Sequence, residues 1–219
     1  MKIYNIGENN SLFNVFVSEI RSKTIQKDSM RFRHNLQRMG EIFAYEISKN
    51  LTYEITQVET PLGVKPIGLP VESPTICSVL RAGILLHEGL LSYYDKAESA
   101  FISAYRKHDA AGRFHIELGY VSCPNLENKV LILCDPMLAT GASLEVCYRS
   151  LIKYGKPKHT HFVSAIASVQ GIEYLQKKLK GENFTLWVGG IDDELSIESY
   201  IVPGLGDAGD LAYGNKLQE

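Results

Sequence analysis

The chain has 219 residues, of which 45% are hydrophobic and 22% are charged, and its formal net charge is −2. This length and composition predict a single folded domain, residues 1–219, with a sizeable core, and they exclude a largely disordered protein. The near balance of acidic and basic residues argues against a protein that mainly coats nucleic acid. No secretory signal pattern opens the sequence, and no apolar stretch approaches the roughly 18 residues of a membrane span, so we expect a cytoplasmic enzyme.

The first 71 residues predict two helices followed by a hairpin. A helical pattern runs from about 11 to 50 and is interrupted near 27–29, where Ser29 is a candidate N-cap for the second helix. Residues 53–71 then alternate roughly between polar and apolar residues, with Pro61, Leu62 and Gly63 at a turn position. This pattern predicts a long β-hairpin arm, which could pack on its own domain or reach a second subunit.

From residue 75 onward, strand and helix patterns alternate. We predict strands at 75–80, 99–105, 130–134, 161–168 and 184–189, helices at 84–94, 143–154 and 171–181, and an exposed hairpin at 113–122. The helix after residue 142 shows an apolar stripe of Leu144, Cys147, Tyr148 and Leu151. Such alternation is typical of an α/β fold with a central parallel sheet flanked by helices, whose ligands bind at the carboxyl ends of the strands.

The segment LILCDPMLATGAS, 131–143, has the pattern of a phosphate site. Asp135 ends an apolar strand, and the small residues from Ala139 to Ser143 then lead into a helix. Small residues let backbone N–H groups approach an anion, and the helix N-terminus adds partial positive charge. The carboxylate could accept hydrogen bonds from sugar hydroxyls or face a metal, so the segment would suit a ribose 5-phosphate. The simpler alternative is that Asp135 caps a turn and Thr140 caps the helix.

The segment GLGDAG, 204–209, matches the letters of a dinucleotide-binding motif but not its context. Only ten residues follow Gly209, so no βαβ unit can be built around the motif. We therefore predict that this segment, with Asp207, forms a turn or serves another ligand.

Several further side chains are candidates for chemistry. Arg81 and Arg106 each follow a predicted strand, so both should lie at the same edge of the sheet as Asp135, where an arginine can bind phosphate oxygens. His159 and His161 could form a metal pair, although surface histidines are the simpler interpretation. Trp187 is predicted to pack in the core or at its rim. The four cysteines (Cys77, Cys123, Cys134 and Cys147) form no CxxC pair, and we expect them to be reduced and buried.

Taken together, these residues resemble the uracil phosphoribosyltransferase family. DPMLATGAS resembles its phosphoribosyl pyrophosphate (PRPP) motif, YIVPGLGDAGD at 200–210 its uracil-binding segment, and LRAG and YR its two pyrophosphate-contacting arginines. The sequence departs from the family pattern at Ala142, where a second glycine is usual, at Ser78-Val79, and after Arg106, where an acidic, proline-bearing loop is usual.

The resemblance implies a type I phosphoribosyltransferase fold with a small hood, a base-binding segment at about 191–214, and the conversion of uracil and PRPP to UMP and diphosphate in pyrimidine salvage. It implies catalytic roles for Arg81, Arg106, Asp135 and Asp207. It implies uracil contacts from Ile201, Gly206, Asp207 and Ala208. For PRPP it implies contacts from Arg81, Arg106, Asp135, Pro136, Met137, Leu138, Ala139, Thr140, Gly141, Ala142, Ser143 and Asp207.

The resemblance also implies the cofactor and the partners. Mg²⁺ would be bound mainly through PRPP, with Asp207 as a candidate ligand through water. A homodimer or higher homo-oligomer is expected, GTP is a candidate effector, and neither stable nucleic-acid binding nor membrane association is expected. Two alternatives stay open at this point: a regulatory protein that senses PRPP and binds RNA, and a phosphoribosyltransferase for another base.

Overall fold

The computed structural model describes residues 2–108 and 114–216, and within 106–108 and 114–115 it describes the backbone only. The helices are α1 (Leu12–Arg21), α2 (Ser29–Ser48), α3 (Gly83–Leu91), α4 (Ala142–Leu151), α5 (Val169–Lys178) and α6 (Ala208–Tyr213). The longer strands are β1 (Lys2–Asn5), β2 (Tyr53–Thr60), β3 (Gly63–Pro70), β4 (Thr75–Leu80), β5 (Glu98–His108), β6 (Phe114–Ser122), β7 (Val130–Cys134), β9 (His159–Ser164) and β11 (Phe184–Val188). The shorter strands are β8 (Met137–Leu138), β10 (Ile166–Ser168), β12 (Ile191–Asp192), β13 (Glu194–Leu195) and β14 (Ile201–Val202).

The central sheet has the strand order β1-β11-β9-β7-β4-β5-β6. All neighbouring strands in it are parallel except β5 and β6, which pair in the antiparallel sense at one edge. The fold class predicted from the sequence, a parallel α/β sheet flanked by helices, is therefore confirmed. The predicted hairpin at 53–71 is confirmed as well, since β2 and β3 pair from Tyr53 opposite Pro70 to Thr60 opposite Gly63.

Helices cover both faces of this sheet, which explains why its central strands are continuously apolar. Successive side chains of β7 point to opposite faces: Ile132 and Cys134 join one core with α1, α2 and α3, whereas Leu131 and Leu133 join the other with α4 and α5. The predicted stripe of α4 packs in that second core. Trp187 is 1% exposed and stacks on Tyr4, with ring centroids 4.1 Å apart, so its predicted core position is confirmed.

A second, small parallel sheet forms where three central strands end. Strands β8, β10 and β12 follow β7, β9 and β11 after one or two intervening residues, and they pair in the order β12-β10-β8. The segment 161–168, predicted as one strand, is therefore divided at Ala165 between two sheets. The three strands stay neighbours in this second sheet, but the pairing of β7 with β4 ends at Cys134 opposite Ser78, directly before Asp135. Ligands of such sheets bind at the carboxyl ends of the strands, where this pairing ends.

Two other local predictions need correction. Asp28, not Ser29, is the N-cap of α2, because its carboxylate accepts a hydrogen bond from the Arg31 N–H at 3.0 Å. Residues 114–122 do not form an independent hairpin but add the edge strand β6 to β5, with a register shift between Ser103 and Ala104. Within the described residues, no helix is long and apolar enough to cross a bilayer.

Candidate active site

A cleft of about 950 Å³ opens at the carboxyl ends of the central strands. Its walls include Arg81, Asp135, Met137, Leu138, Ala139, Thr140, Gly141, Ser143, Ile201, Gly206, Asp207 and Ala208. The structure therefore brings together in one cavity nearly all the site residues predicted from the sequence. Pro136 and Ala142 are not among the described residues that line it, although each is directly bonded to residues that do. The side chain of Arg106 and residues 109–113, where the sequence predicts a loop, lie outside the described part of the chain. The backbone of Arg106, in β5, pairs with that of Ile116 in β6.

The loop before α4 has the geometry of an anion cradle. Gly141 adopts φ +80°, a left-handed conformation that favours glycine, and directly precedes the first turn of α4. The first intrahelical hydrogen bond runs from the Glu145 N–H to the Gly141 carbonyl at 3.0 Å, so the amides before it are those that a helix leaves without internal acceptors. The prediction that Thr140 caps this helix needs correction: the N-cap is Gly141, which has no side chain to cap with, and Thr140 lies one residue before it, where its hydroxyl accepts a hydrogen bond from the Ala142 N–H at 3.4 Å.

The cradle is held from behind by α5. The Ser168 hydroxyl donates to the Ala139 carbonyl at 2.6 Å and accepts from the Gly171 N–H at 2.9 Å. A Cβ atom on Gly171 would lie 2.3 Å from the Ala139 oxygen, and one on Gly141 would lie 2.8 Å from the Gly171 oxygen. The two glycines therefore allow a backbone approach that no other residue permits, and the loop is fixed before any ligand binds.

Asp135 lies at the point where β7 leaves the central sheet. Its carboxylate accepts one backbone hydrogen bond, from the Met137 N–H at 3.3 Å, as the turn-capping interpretation predicts. Burial raises the pKa of Asp135 to about 7, the Met137 N–H acts against this rise, and the nearby charge of Asp207 adds to it. The turn contact therefore leaves acceptor capacity on a carboxylate that faces the cleft.

On the opposite wall, four charged side chains form a connected cluster. Arg81 pairs with Asp210, Nη2 to Oδ1 at 2.8 Å, and donates to the Gly214 carbonyl at 3.3 Å. Lys216 pairs with Asp207, Nζ to Oδ2 at 2.6 Å, and lies 3.7 Å from Asp210. Partial burial acts to raise the pKa of Asp207, but the Lys216 ammonium and the Asp210 N–H outweigh it, so the pKa lies below its usual value.

Two members of this cluster were not predicted from the sequence. Asp210 lies inside the quoted segment 200–210, so its presence there was a usable signal. Lys216 lies nine residues after Asp207, beyond every recognised pattern, and only its folded position brings it to the cleft. The peptide bonds Leu80–Arg81 and Val202–Pro203 are both cis.

The histidine pair occupies the other end of the sheet. His159 is hydrogen-bonded to Asn183 and Thr185, each at 2.9 Å, and the ring of His161 accepts a hydrogen bond from Trp187 Nε1 at 3.0 Å. His161 is 2% exposed, so the surface interpretation is wrong for it, and burial lowers its pKa to about 3. In the described part of the chain, no three His, Cys, Asp or Glu side chains group closely enough to hold a metal ion. All four cysteines are free thiols, and Cys123 alone is only partly buried.

Comparison with known proteins gives one consistent result. A family model described as uracil phosphoribosyltransferase matches residues 8–215. A uracil phosphoribosyltransferase of Porphyromonas gingivalis is 48% identical over 217 residues, which cover 99% of this chain and 100% of that protein. One of Thermococcus gammatolerans is 36% identical over 206 residues, covering 92% of this chain and 89% of that protein.

The fold comparison agrees with the sequence comparison. The solved structure of the AQ2163 protein from Aquifex aeolicus superposes with a TM-score of 0.85 at 30% identity, covering 99% of this chain and 100% of that one. The match spans the strands, the hairpin and the C-terminal segment alike, since it covers nearly the whole chain. On the family match and on full-length identity, the chain belongs to the uracil phosphoribosyltransferase family.

Proposed function

We propose that the protein transfers a phosphoribosyl group from PRPP to uracil, giving UMP and diphosphate. Membership of the family supports the reaction, and one observation supports its location: a single cleft carries an anion cradle on one wall and the uracil-type segment on the other. In the reaction, the bond from the sugar C1 to the diphosphate oxygen breaks, a bond from uracil N1 to C1 forms, and the N1 proton is released.

The proposed site for the sugar phosphate is the loop from Asp135 to Ser143. The amides at the start of α4, together with the hydroxyls of Thr140 and Ser143, suit the 5-phosphate, because the helix N-terminus favours negative charge. The ionised form of Asp135 suits the two ribose hydroxyls, to which a carboxylate offers acceptors only.

The proposed site for the diphosphate is the end of the cleft that contains Arg81. Positive charge develops on the sugar as negative charge collects on the leaving oxygens, so a fixed guanidinium there stabilises the transition state more than the ground state. The ion pair with Asp210 fixes this guanidinium in advance. The resemblance assigns Arg106 to the same oxygens. Positioning two substrates in one cleft can lower the activation free energy by about 7–11 kcal/mol, so no nucleophilic side chain is required.

The proposed site for uracil is the turn from Ile201 to Ala208. The edge of uracil alternates hydrogen-bond donors and acceptors, and backbone groups at Ile201, Gly206 and Ala208 can match this alternation. A base with a different pattern would leave buried polar groups unpaired, which costs about 1–3 kcal/mol each. We place Asp207 between the base and PRPP.

The carboxylate oxygens near the cleft suit a magnesium ion that enters bound to PRPP. Asp135 and Asp207 lie close enough for the charge of one to raise the pKa of the other, and carboxylate oxygens are the ligands that Mg²⁺ prefers. Since no larger acidic cluster occurs in the described residues, the phosphate oxygens of PRPP would supply most ligands, and Asp207 would bind through water. When bound, the ion would neutralise charge on the diphosphate.

The hairpin arm is the proposed assembly surface. Ile55, Leu62 and Val64 are 71%, 100% and 63% exposed, so the arm presents apolar side chains that its own subunit does not cover. We propose a homodimer or higher homo-oligomer built through this arm, and analytical ultracentrifugation of the protein and of its Val64→Glu variant tests this. GTP is a proposed effector, and adding it to the activity assay tests this. A cytoplasmic location and the single-domain organisation of residues 1–219 stay predictions.

The deciding experiment is incubation with PRPP, Mg²⁺ and one base at a time, followed by chromatography of the nucleotide product. UMP from uracil, with no product from cytosine or hypoxanthine, is the expected result. Product from another base alone would overturn the base assignment. The regulatory, RNA-binding alternative is not supported by the comparisons, in which the family model and the curated relatives are uracil phosphoribosyltransferases.

A further inference from the structure

A half-buried ion pair joins the N-terminal helix α1 to the base-binding segment. Arg21 donates from Nη1 to Asp192 Oδ2 at 2.7 Å and from Nη2 to Oδ1 at 2.8 Å, so the two planar groups meet in a two-pronged contact. Asp192 is 8% exposed and Arg21 22% exposed. The pair spans 171 residues of sequence, and neither residue lines the cleft, so no part of the proposed chemistry uses it directly.

The same pair binds both backbone polar groups of Gly204. Arg21 Nη1 donates to the Gly204 carbonyl at 3.1 Å, and Asp192 Oδ2 accepts from the Gly204 N–H at 3.0 Å. Gly204 has φ +53°, and a Cβ atom on it would lie 2.1 Å from the Ile201 carbonyl oxygen. The backbone there is thus tightly folded on itself, and two charged side chains determine its orientation.

Gly204 lies between the residues whose backbone faces the proposed uracil site. Ile201 precedes it by three residues and Gly206 follows it by two, and both line the cleft. A rotation of the Gly204 peptide would therefore turn the neighbouring amide and carbonyl groups away from the base. Selection of a base by backbone groups depends on the direction in which those groups point, so a fixed orientation of the Gly204 peptide determines which base fits.

We propose that Arg21 and Asp192 are positioning residues that set the affinity and selectivity for uracil by orienting the turn from Ile201 to Ala208. The inference rests on the proposed function, since it names a determinant of the same site. A charge alone cannot do this: a lysine ammonium is a point charge that cannot bind both carboxylate oxygens and the Gly204 carbonyl in one plane, whereas the arginine fork can.

The test compares Arg21→Lys with a matched control in the same helical layer. Arg31 makes an equally two-pronged contact with Glu19, at 2.8 and 2.6 Å, and it joins α1 to α2 without lining the cleft. Arg31→Lys therefore breaks the same kind of ion pair in the same part of the fold. The KM values for uracil and PRPP, kcat, and the melting temperature are measured for both variants and for the wild type.

In Arg21→Lys, the KM for uracil should rise about tenfold, equivalent to about 1.4 kcal/mol of binding free energy, while the KM for PRPP stays within about twofold. The ratio of the inhibition constant of cytosine, measured as a competitor of uracil, to the KM for uracil should fall. Arg31→Lys should keep both KM values. Amide hydrogen exchange at residues 204–208 should accelerate in the Arg21 variant and not in the control, a readout that does not depend on turnover.

Three outcomes would overturn the inference: an unchanged KM for uracil in Arg21→Lys, an equal rise in the KM values of both substrates, or a rise in the control as large as in the variant. If Arg21→Lys does not fold, Asp192→Asn takes its place, because it keeps one oxygen for the Gly204 N–H while losing the charge. A wild-type protein that makes no UMP would contradict the proposed function instead, and the exchange experiment would still decide whether the pair orders the turn.

Discussion

Replacing Gly141 by alanine tests how closely the phosphate cradle is packed against α5. Gly141 has φ +80°, and an added Cβ would lie 2.8 Å from the Gly171 oxygen and 3.0 Å from Tyr174 Cδ1. Gly181 is a matched control, because its φ is +94° and nothing lies within 4 Å of its would-be Cβ. The two substitutions share the backbone strain, and only the first adds a steric clash.

The magnitude follows from these two contributions. A left-handed conformation costs an alanine about 1–2 kcal/mol, and this cost applies to both variants. Overpacking adds about 1–3 kcal/mol to Gly141→Ala alone. For a chain of this size, about 1 kcal/mol shifts the melting temperature by about 2–4 °C, so Gly141→Ala should melt about 2–12 °C below Gly181→Ala. The entropy that alanine removes from the unfolded chain is common to both variants and cancels in this difference.

The assay pairs melting curves with steady-state kinetics. Because the clash displaces the loop that we assign to the 5-phosphate, the KM for PRPP should rise at least about tenfold in Gly141→Ala, whereas Gly181→Ala should keep the wild-type value. Equal melting temperatures, or an unchanged KM for PRPP in the Gly141 variant, would refute the claim that a preformed, closely packed loop binds the phosphate.

Three further predictions concern the charged groups of the cleft. Burial raises the pKa of Asp135 to about 7, and only the ionised carboxylate accepts hydrogen bonds from both ribose hydroxyls. The value of kcat/KM for PRPP should therefore rise as the pH increases through about 7, and the Asp135→Asn variant should lack this rise. The Asp207→Ala substitution should lower kcat at least about 100-fold. It should also lower the free energy of unfolding by about 1 kcal/mol, because the Asp207 carboxylate caps α6. Near-normal turnover would disprove the role of Asp207. Lys216→Met should raise the pKa of Asp207, which carboxyl NMR titration measures, and an unchanged pKa would show that the ammonium does not hold this carboxylate.

Local sequence patterns predicted those parts of the fold in which burial repeats with the period of a helix or covers a whole strand. The stripe Leu144, Cys147, Tyr148 and Leu151 repeats every three or four residues, and all four side chains are buried under the sheet. The all-apolar β7 likewise indicated a strand covered on both faces. Where a strand divides at Ala165, the pattern gave no signal, because both sheets bury their residues and the sequence stays apolar throughout.

The parts that were missed depend on contacts between distant residues. The alternation of 113–122 fits an exposed hairpin as well as an edge strand, and only the pairing of β6 with β5 decides between them. Similarly, Arg21 and Lys216 carry no motif, and their positions follow from packing of the chain ends around the same turn. Most of the site residues that were predicted lie in two short segments, 135–143 and 200–210, whose residue types indicate their chemistry without knowledge of the fold. Arg81 lies outside both and was predicted from its position directly after a strand.

The most direct test of the central claim is a crystal structure of the protein with UMP bound. The account predicts that the phosphate lies against the amides at the start of α4, near Thr140 and Ser143, and that the ribose hydroxyls meet Asp135. It predicts that the uracil edge pairs with backbone groups of Ile201, Gly206 and Ala208. A nucleotide bound elsewhere, or with its base away from the 201–208 turn, would contradict the assignment of this cleft as the active site.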